Sequence, residues 1–323
     1  MRTTALIIFG VFLAILHVVI ILDIVKSIKQ RKKYRVYKVI AAYLLLLPAS
    51  IMAFFFILLP IIYSLGYAFT DYYALEPETT KFIWFDNFIA IAKQFRAKGD
   101  IYAAVKNTAI FVVCVVPLQI LMALGLALFC NIKKRGSAIF KVCFFAPVVI
   151  SLTVTSYLWE HILSSGPDGL FNSILAVFGF GPVDYLGGET AILWIVLLSA
   201  WQGCGFQMLI FLSALSNVGD DIYEAASLDG ANAFDKFFYL TLPALKPTLL
   251  YVVITVFIGA CRIMIQPMVM RGYMKNVITL SYYMYKEGFD YRWVGYSSAV
   301  ALLMTIVIGG ITLVQRKLLG EKD

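Results

Sequence analysis

Seven runs of mostly apolar residues, at 5–25, 39–68, 104–130, 141–163, 191–215, 248–268 and 297–315, constrain this chain more than anything else in it. A helix rises about 1.5 Å per residue, so about 20 apolar residues are what it takes to cross a hydrocarbon core of about 30 Å. In lipid every backbone N–H and C=O must find a partner within the protein, and a helix does this inside one segment. The expectation is an all-α, polytopic membrane protein. Composition agrees, with 61% of the 323 residues hydrophobic and 14% charged, against about 25% charged in soluble domains.

Basic residues set the expected orientation. The segment 26–38, KSIKQRKKYRVYK, holds seven Lys and Arg, and together with 131–141, 216–247 and the tail after 315 this side carries 16, against 9 on the other. The positive-inside rule places the first set in the cytoplasm, with the N-terminus outside and the C-terminus inside. The first run exceeds the usual apolar length of a signal peptide and lacks a small-residue cleavage site, so it reads as an uncleaved anchor. Residues 1–38 are thus expected to be an N-terminal transmembrane anchor with a basic linker, and 39–323 a separate bundle. A net charge of +8 would suggest nucleic acid in a soluble chain. Here the excess gathers in short loops between spans, where anionic lipid headgroups meet it, and nucleic acid is not expected.

Catalytic chemistry finds little footing. The five cysteines, Cys114, Cys130, Cys143, Cys204 and Cys261, form no CxxC and share no spacing with His17 or His161, so neither a disulfide framework nor a metal site is expected. No phosphate-binding GxxxxGK[ST] loop, HExxH or GxSxG is present. YLGGET at 185–190 is a faint echo of a glycine-rich signature and falls on the outer side. Intramembrane charge is limited mainly to Asp23, Lys106, Glu160 and Arg262, which is thin for an ion relay. A self-sufficient secondary transporter is the alternative from another class, and no inverted repeat supports it.

The exception to this apolar pattern is IYEAASLDGANAFDKFFYLTLPALKP at 222–247, within a cytoplasmic loop of about 216–247. Asp220 and Asp221 suit a helix N-terminus, Ile222 to Leu228 favours helix, Gly230 suits the position after a helix end, and Ala231 to Phe238 forms a second short helix before Pro243 and Pro247. Ala225, Ala226 and Gly230 leave one side almost without side chains, open to close approach by another protein. Phe234, Phe237, Phe238 and Leu240 are expected to hold the second helix against the span ends. On physical grounds alone, an ordinary solvated loop fits equally well.

The order Glu224, Ala225, Ala226, then Gly230, Leu240, Leu242 and Pro243 resembles the EAA motif of permease subunits of bacterial binding-protein-dependent ABC importers, with Leu240 where that family often has Ile. YEAASLDGA and LTLPALKP look like the sugar-permease branch, the maltose and glycerol-phosphate permeases. PIIYSLGYAFTDYY at 60–73 and GYSSAVALLMTIVIGGITLVQRKL at 295–318 extend the likeness. The resemblance implies a six-helix type I importer core from about residue 39, with the first span an addition. It implies no cofactor on this chain, ATP and Mg being held by two partner ATPase subunits. It also implies a second homologous permease, an extracytoplasmic solute-binding protein and a sugar substrate, all at the bacterial plasma membrane. Glu224, Ala225, Ala226, Gly230, Leu240 and Pro243 would form the coupling helix that docks on the ATPase.

A sugar path needs amide or hydroxyl groups beside an aromatic face. SAWQGCGFQ at 199–207 offers these, and Ser199, Gln202, Gly203 and Phe206 share one helix face by spacing. The alternative is that these small and polar residues pack helix on helix. Arg262 either pairs with Glu160, or lines the path and meets an anionic or heavily hydroxylated substrate, or snorkels to the outer interface.

Overall fold

The structure is a computed structural model and describes residues 36–131, 137–166, 169–272 and 274–319. Among these residues it is helical throughout, with one isolated β-bridge, Thr70 to Phe82, and no strand. The helices are α1 (Val36–Ala53), α2 (Leu59–Tyr67), α3 (Asp86–Arg96), α4 (Asp100–Asn131), α5 (Ser137–Val149), α6 (Leu152–Ile162) and α7 (Leu170–Val177). They continue as α8 (Ala191–Ser216), α9 (Asp220–Leu228), α10 (Ala233–Asp235), α11 (Leu242–Ala244), α12 (Lys246–Cys261), α13 (Ile265–Arg271), α14 (Leu280–Tyr285) and α15 (Val294–Leu319).

Four uninterrupted helices are long and apolar enough to cross a membrane, Tyr43–Tyr67, Asp100–Asn131, Ala191–Ser216 and Val294–Leu318. Two helix pairs are long and apolar enough only when taken together, and each is bent at a break, Ser137–Val149 with Leu152–Ile162 by 96° and Ala233–Ala244 with Lys246–Cys261 by 66°. The expected run at 5–25, and with it the seventh span, lies outside the described residues. Two expected spans are corrected in detail. The run at 141–163 is not one straight helix but breaks at Ile150 and Ser151, three residues after Pro147. The run at 248–268 stops at Cys261, and Arg262 to Met264 separate it from α13.

Proline shapes two other helices by a common route. A proline has no N–H to donate, and its ring crowds the carbonyl four residues back. Ahead of Pro60 and ahead of Pro243 the ladder widens to a π turn, Phe54–Leu58 and Lys236–Thr241, with Leu59 N–H donating to Phe54 O and Leu242 N–H to Phe237 O. The extra residue relieves the crowding without breaking the chain.

Helix α8 is the axis of the bundle. Of its most apolar 18-residue window 56% is buried, whereas Tyr43–Tyr67 buries only 6% of its own. Its first half packs Ile192 and Ile195 with Phe111 and Val115 of α4. Its second half packs Cys204, Phe211 and Leu215 with Ala127 and Cys130 of α4 and with Leu245 and Val252 beyond it. A third cluster gathers Ile91 of α3, Ile101 and Ala104 of α4, Tyr283 and Ala299 at the opposite end from Asp220–Ala244. A helix apolar on all sides belongs inside a bundle, and one exposed on most sides, as Tyr43–Tyr67 is, faces lipid or another subunit.

Candidate functional site: a glutamine-lined cavity and a helical elbow

Where a span breaks, backbone groups lose their helical partners and something nearby must replace them. At the first break Gln202 of α8 does this, its Nε2 donating to Ile150 O at 3.2 Å and to the Thr155 hydroxyl at 3.2 Å. At the second, the hydroxyl of Thr279 donates to Ile263 O at 2.7 Å and that of Ser281 to Cys261 O at 3.3 Å. Asn107 of α4 reaches across to the carbonyls of Lys275 and Ile278 at 3.1 and 2.9 Å.

Between the two breaks lies a cavity of about 850 Å³, within the range of small-molecule sites. Four glutamines line it, Gln119, Gln202, Gln207 and Gln266, each less than one-tenth exposed. Gln119 Nε2 donates to Gln207 Oε1 at 3.0 Å, and Gln266 Nε2 to the Ser199 hydroxyl at 3.3 Å. Among the described residues no group donates to the buried Gln202 Oε1, which costs free energy unless a donor meets it. A Cβ at Gly203 would collide with the Gln119 amide, so the absence of a side chain there makes room for it. Met264, Met284 and Met304 complete the wall with adaptable thioethers. Among the described residues Arg262 is the one charged lining residue; it is exposed and stands at the C-terminal cap of α12, where the helix dipole favours a cation.

Ser199, Gln202, Gly203 and Arg262 therefore meet at one cavity. Phe206 is not part of its lining; its ring is 51% exposed, one turn nearer the α9 end. Among the described residues the ion pairs are Lys275–Asp100 and Lys286–Asp290, with none between Arg262 and Glu160. Gln207 was legible as the next step of a ridge, Ser199, Gly203, Gln207, at four-residue spacing. Gln119 and Gln266 lie on other elements, and no local pattern links them to it.

After α8 the chain turns into an elbow. Asp220 and Asp221 sit in the first turn of α9, where the positive end of the helix dipole suits them, and the cap residue is Gly219. Helix α9 closes with Ala231 N–H donating to Ala226 O at 2.9 Å and Gly230 N–H to Ser227 O at 3.2 Å. This closure requires a left-handed residue, supplied by Gly230 at φ 84°. Asn232 then caps α10 reciprocally with Asp235, accepting from Phe234 N–H at 2.8 Å and Asp235 N–H at 3.1 Å while its own N–H donates to Asp235 at 3.1 Å. The second helix thus begins at Ala233 rather than Ala231.

Its attachment also differs from expectation. Phe234 and Phe238 contact each other as tilted rings with centroids 5.0 Å apart and are 73% and 46% exposed, while Phe237 and Leu240 are half-buried. The elbow is held instead by polar and buried groups: the Tyr223 hydroxyl lies 2.9 Å from that of buried Thr241, and Leu245 is 1% exposed. Glu224 and Ala225 are exposed, Ala226 half-buried, and Pro243 occupies the first turn of α11. Ile222, Leu228 and Tyr239 add exposed apolar surface to a segment with hardly a buried side chain.

A bundle of apolar helices around a polar cavity, with a small-residue elbow at one end of the central helix, defines a membrane transport component. The family of binding-protein-dependent transport system inner membrane components matches residues 88–321, and the chain belongs to it. It is the transport subunit of such an ABC importer, not the subunit that hydrolyses ATP. The chain is 32% identical over 286 residues to the arabinooligosaccharides transport system permease protein AraP of Bacillus subtilis, covering 87% of this chain and 89% of that one. It is 28% identical over 297 residues to the trehalose/maltose transport system permease protein MalF of Thermococcus litoralis, covering 90% and 97%. Among solved structures, a bacterial alginate ABC transporter in complex with its pentasaccharide-bound periplasmic protein matches with a TM-score of 0.77 at 20% identity, over 89% of this chain and 98% of that one. That likeness gives the fold, the type I importer permease architecture.

Proposed function

We propose that this permease passes a sugar or oligosaccharide through the glutamine-lined cavity, driven by ATPase subunits that grip the α9–α11 elbow. The observation that carries the reading is the elbow itself, an exposed apolar and small-residue surface set by Gly230 and joined without interruption to α8, the cavity's own wall. Glu224, Ala225, Ala226, Gly230, Leu240 and Pro243 form the docking element. Ser199, Gln202, Gly203 and Arg262, with Phe206 one turn away, offer the polar groups and aromatic face a sugar needs. Sugar names among the relatives support this substrate class.

In this assembly the chain pairs with a second homologous permease, whose helices complete the path. Two ATPase subunits on the cytoplasmic side hold ATP and Mg, and a solute-binding protein delivers the sugar from outside. The elbow lies in the cytosol, with the N-terminus outside and the C-terminus inside. Residues 1–38 add an anchor before the permease domain, making seven spans. Closure of the ATPases moves the elbow as a rigid body and α8 with it, so the cavity opens to one side at a time.

The test is uptake of labelled sugar into proteoliposomes holding the full complex. Uptake is expected to require ATP, the ATPase subunits and the loaded binding protein together. Persistent uptake without the ATPases would favour a secondary transporter.

A further inference from the structure

A different surface, at the end of the bundle opposite the elbow, has no assigned role. Helix α3 and the turn before it show two unlike faces. Inward, Asn87 Nδ2 donates to Ala68 O and Thr70 O at 3.0 and 2.8 Å, Ile91 is buried, and Gln94 Oε1 accepts from the Tyr283 and Tyr296 hydroxyls at 3.1 and 3.2 Å. Outward, Phe85, Ile89, Ala92 and Arg96, spaced by four, three and four residues, share one helix face and are all exposed. Trp84 sits just before them, 67% exposed at φ 52°. Left-handed backbone is costly for a bulky residue, and such strain persists where the surroundings over-determine it.

From these features we infer that α3 and the Phe82–Phe85 turn form an interfacial anchor seated on anionic phospholipid headgroups. Composition favours lipid as the occupant, because Trp84 joins an apolar body to a polar N–H, as rings at the membrane–water boundary do, and Phe82, Phe85 and Ile89 are the apolar side chains an interfacial helix buries. Charge agrees: Lys81, Lys93, Arg96 and Lys98 are exposed around the apolar face, as in helices that lie on anionic surfaces. Asp86, the acid on α3, sits in its first turn, where the helix dipole accounts for it. Continuity with the membrane-facing surface is direct. Phe69, just past the end of the Tyr43–Tyr67 span, contacts Phe82 and Phe85 with centroids 6.4 and 5.6 Å apart, and Phe82 meets Trp84 at 4.9 Å. Leu65 and Ile62 of that span are 43% and 40% exposed. The anchor fixes the ends of α2, α14 and α15 at the membrane surface through Asn87 and Gln94.

Photo-crosslinking tests this in the assembled transporter. Trp84→benzoylphenylalanine and, separately, Ile89→benzoylphenylalanine are irradiated in vesicles of mixed phosphatidylcholine and phosphatidylglycerol, and adducts are identified by mass. Phospholipid adducts are expected at both positions, falling about fivefold or more in pure phosphatidylcholine, where the attraction of Lys81, Lys93, Arg96 and Lys98 to anionic headgroups is lost. Adducts to the second permease, to the binding protein or to residues 5–25 would overturn the inference, as would lipid capture indifferent to headgroup charge. A second measurement needs no unnatural residue. Brominated lipid should quench the wild-type tryptophan fluorescence more than that of Trp84→Phe, and equal quenching would also overturn it.

Discussion

The cavity wall and the elbow are consecutive in sequence and opposite in construction. Along α8 the two glutamines that face the cavity, Gln202 and Gln207, are buried and bonded to α4 and to the first helix break, which fixes the shape of the wall. Along α9 to α11 the backbone is fixed with equal care, by the Gly230 closure and the Asn232–Asp235 cap, while the side chains are left outside. The difference separates rigidity from completeness. Both regions are well defined, but the elbow leaves Leu228, Phe234 and Tyr239 largely exposed.

That contrast can be broken at specific residues, and the largest effect is expected at Gly230. Gly230→Val puts a β-branched residue at a left-handed position, costing about 1–2 kcal/mol or more. It should cut ATP-driven uptake by about tenfold or more, with the permease still folded by melting and the ATPases dissociating more readily. Normal uptake would mean that the closure is ornamental.

Gln202→Ala attacks the other region. It strips donors from Ile150 O and the Thr155 hydroxyl at the first helix break, an effect of about 1–3 kcal/mol for a buried group left unpaired. The purified complex should melt lower and transport about tenfold more slowly, while ATPase attachment stays intact. Loss of attachment instead would show that wall and elbow are not separable.

Asn232→Ala removes one helix cap, about 1 kcal/mol, and should weaken ATPase attachment severalfold without altering the cavity. Affinity of the purified subunits measures this directly.

The smallest effect is expected outside both regions, at Glu287. Burial raises its carboxyl above the ordinary range, a hydrogen bond from Tyr283 opposes this, and the charge of Asp100 adds to the rise. A carboxyl whose folded pKa is raised favours the fold when protonated. That contribution is complete below the ordinary value of about 4.3 and is lost as pH climbs through the raised one. Glu287→Gln should therefore raise the melting temperature slightly at pH 7, an advantage that shrinks toward pH 4, with uptake unchanged.

Much of this was legible in the residues, for identifiable reasons. The four uninterrupted membrane-length helices follow from apolar length alone, and the elbow follows from Asp220, Gly230 and the two prolines, whose backbone rules are local. The breaks at Ile150 and Arg262 were not legible, because a broken helix and a straight one of the same composition differ in which distant side chains catch the freed carbonyls. Gln202 reaching Ile150 and Thr279 reaching Ile263 are such events. For the same reason Gln119 and Gln266 joined the cavity unannounced. The outward turn of Phe234 and Phe238 also escaped local reasoning, since aromatic residues beside a span end ordinarily pack inward, and here Thr241 and Leu245 already hold the joint.

The most direct measurement places a thiol-reactive photocrosslinker at Ala225→Cys in the assembled complex, in membranes, with and without ATP. A single major adduct to the ATPase subunit, its yield changing with nucleotide, is the predicted result. Failure to capture the ATPase, or labelling of this position by an impermeant reagent added from the extracytoplasmic side, would contradict the account.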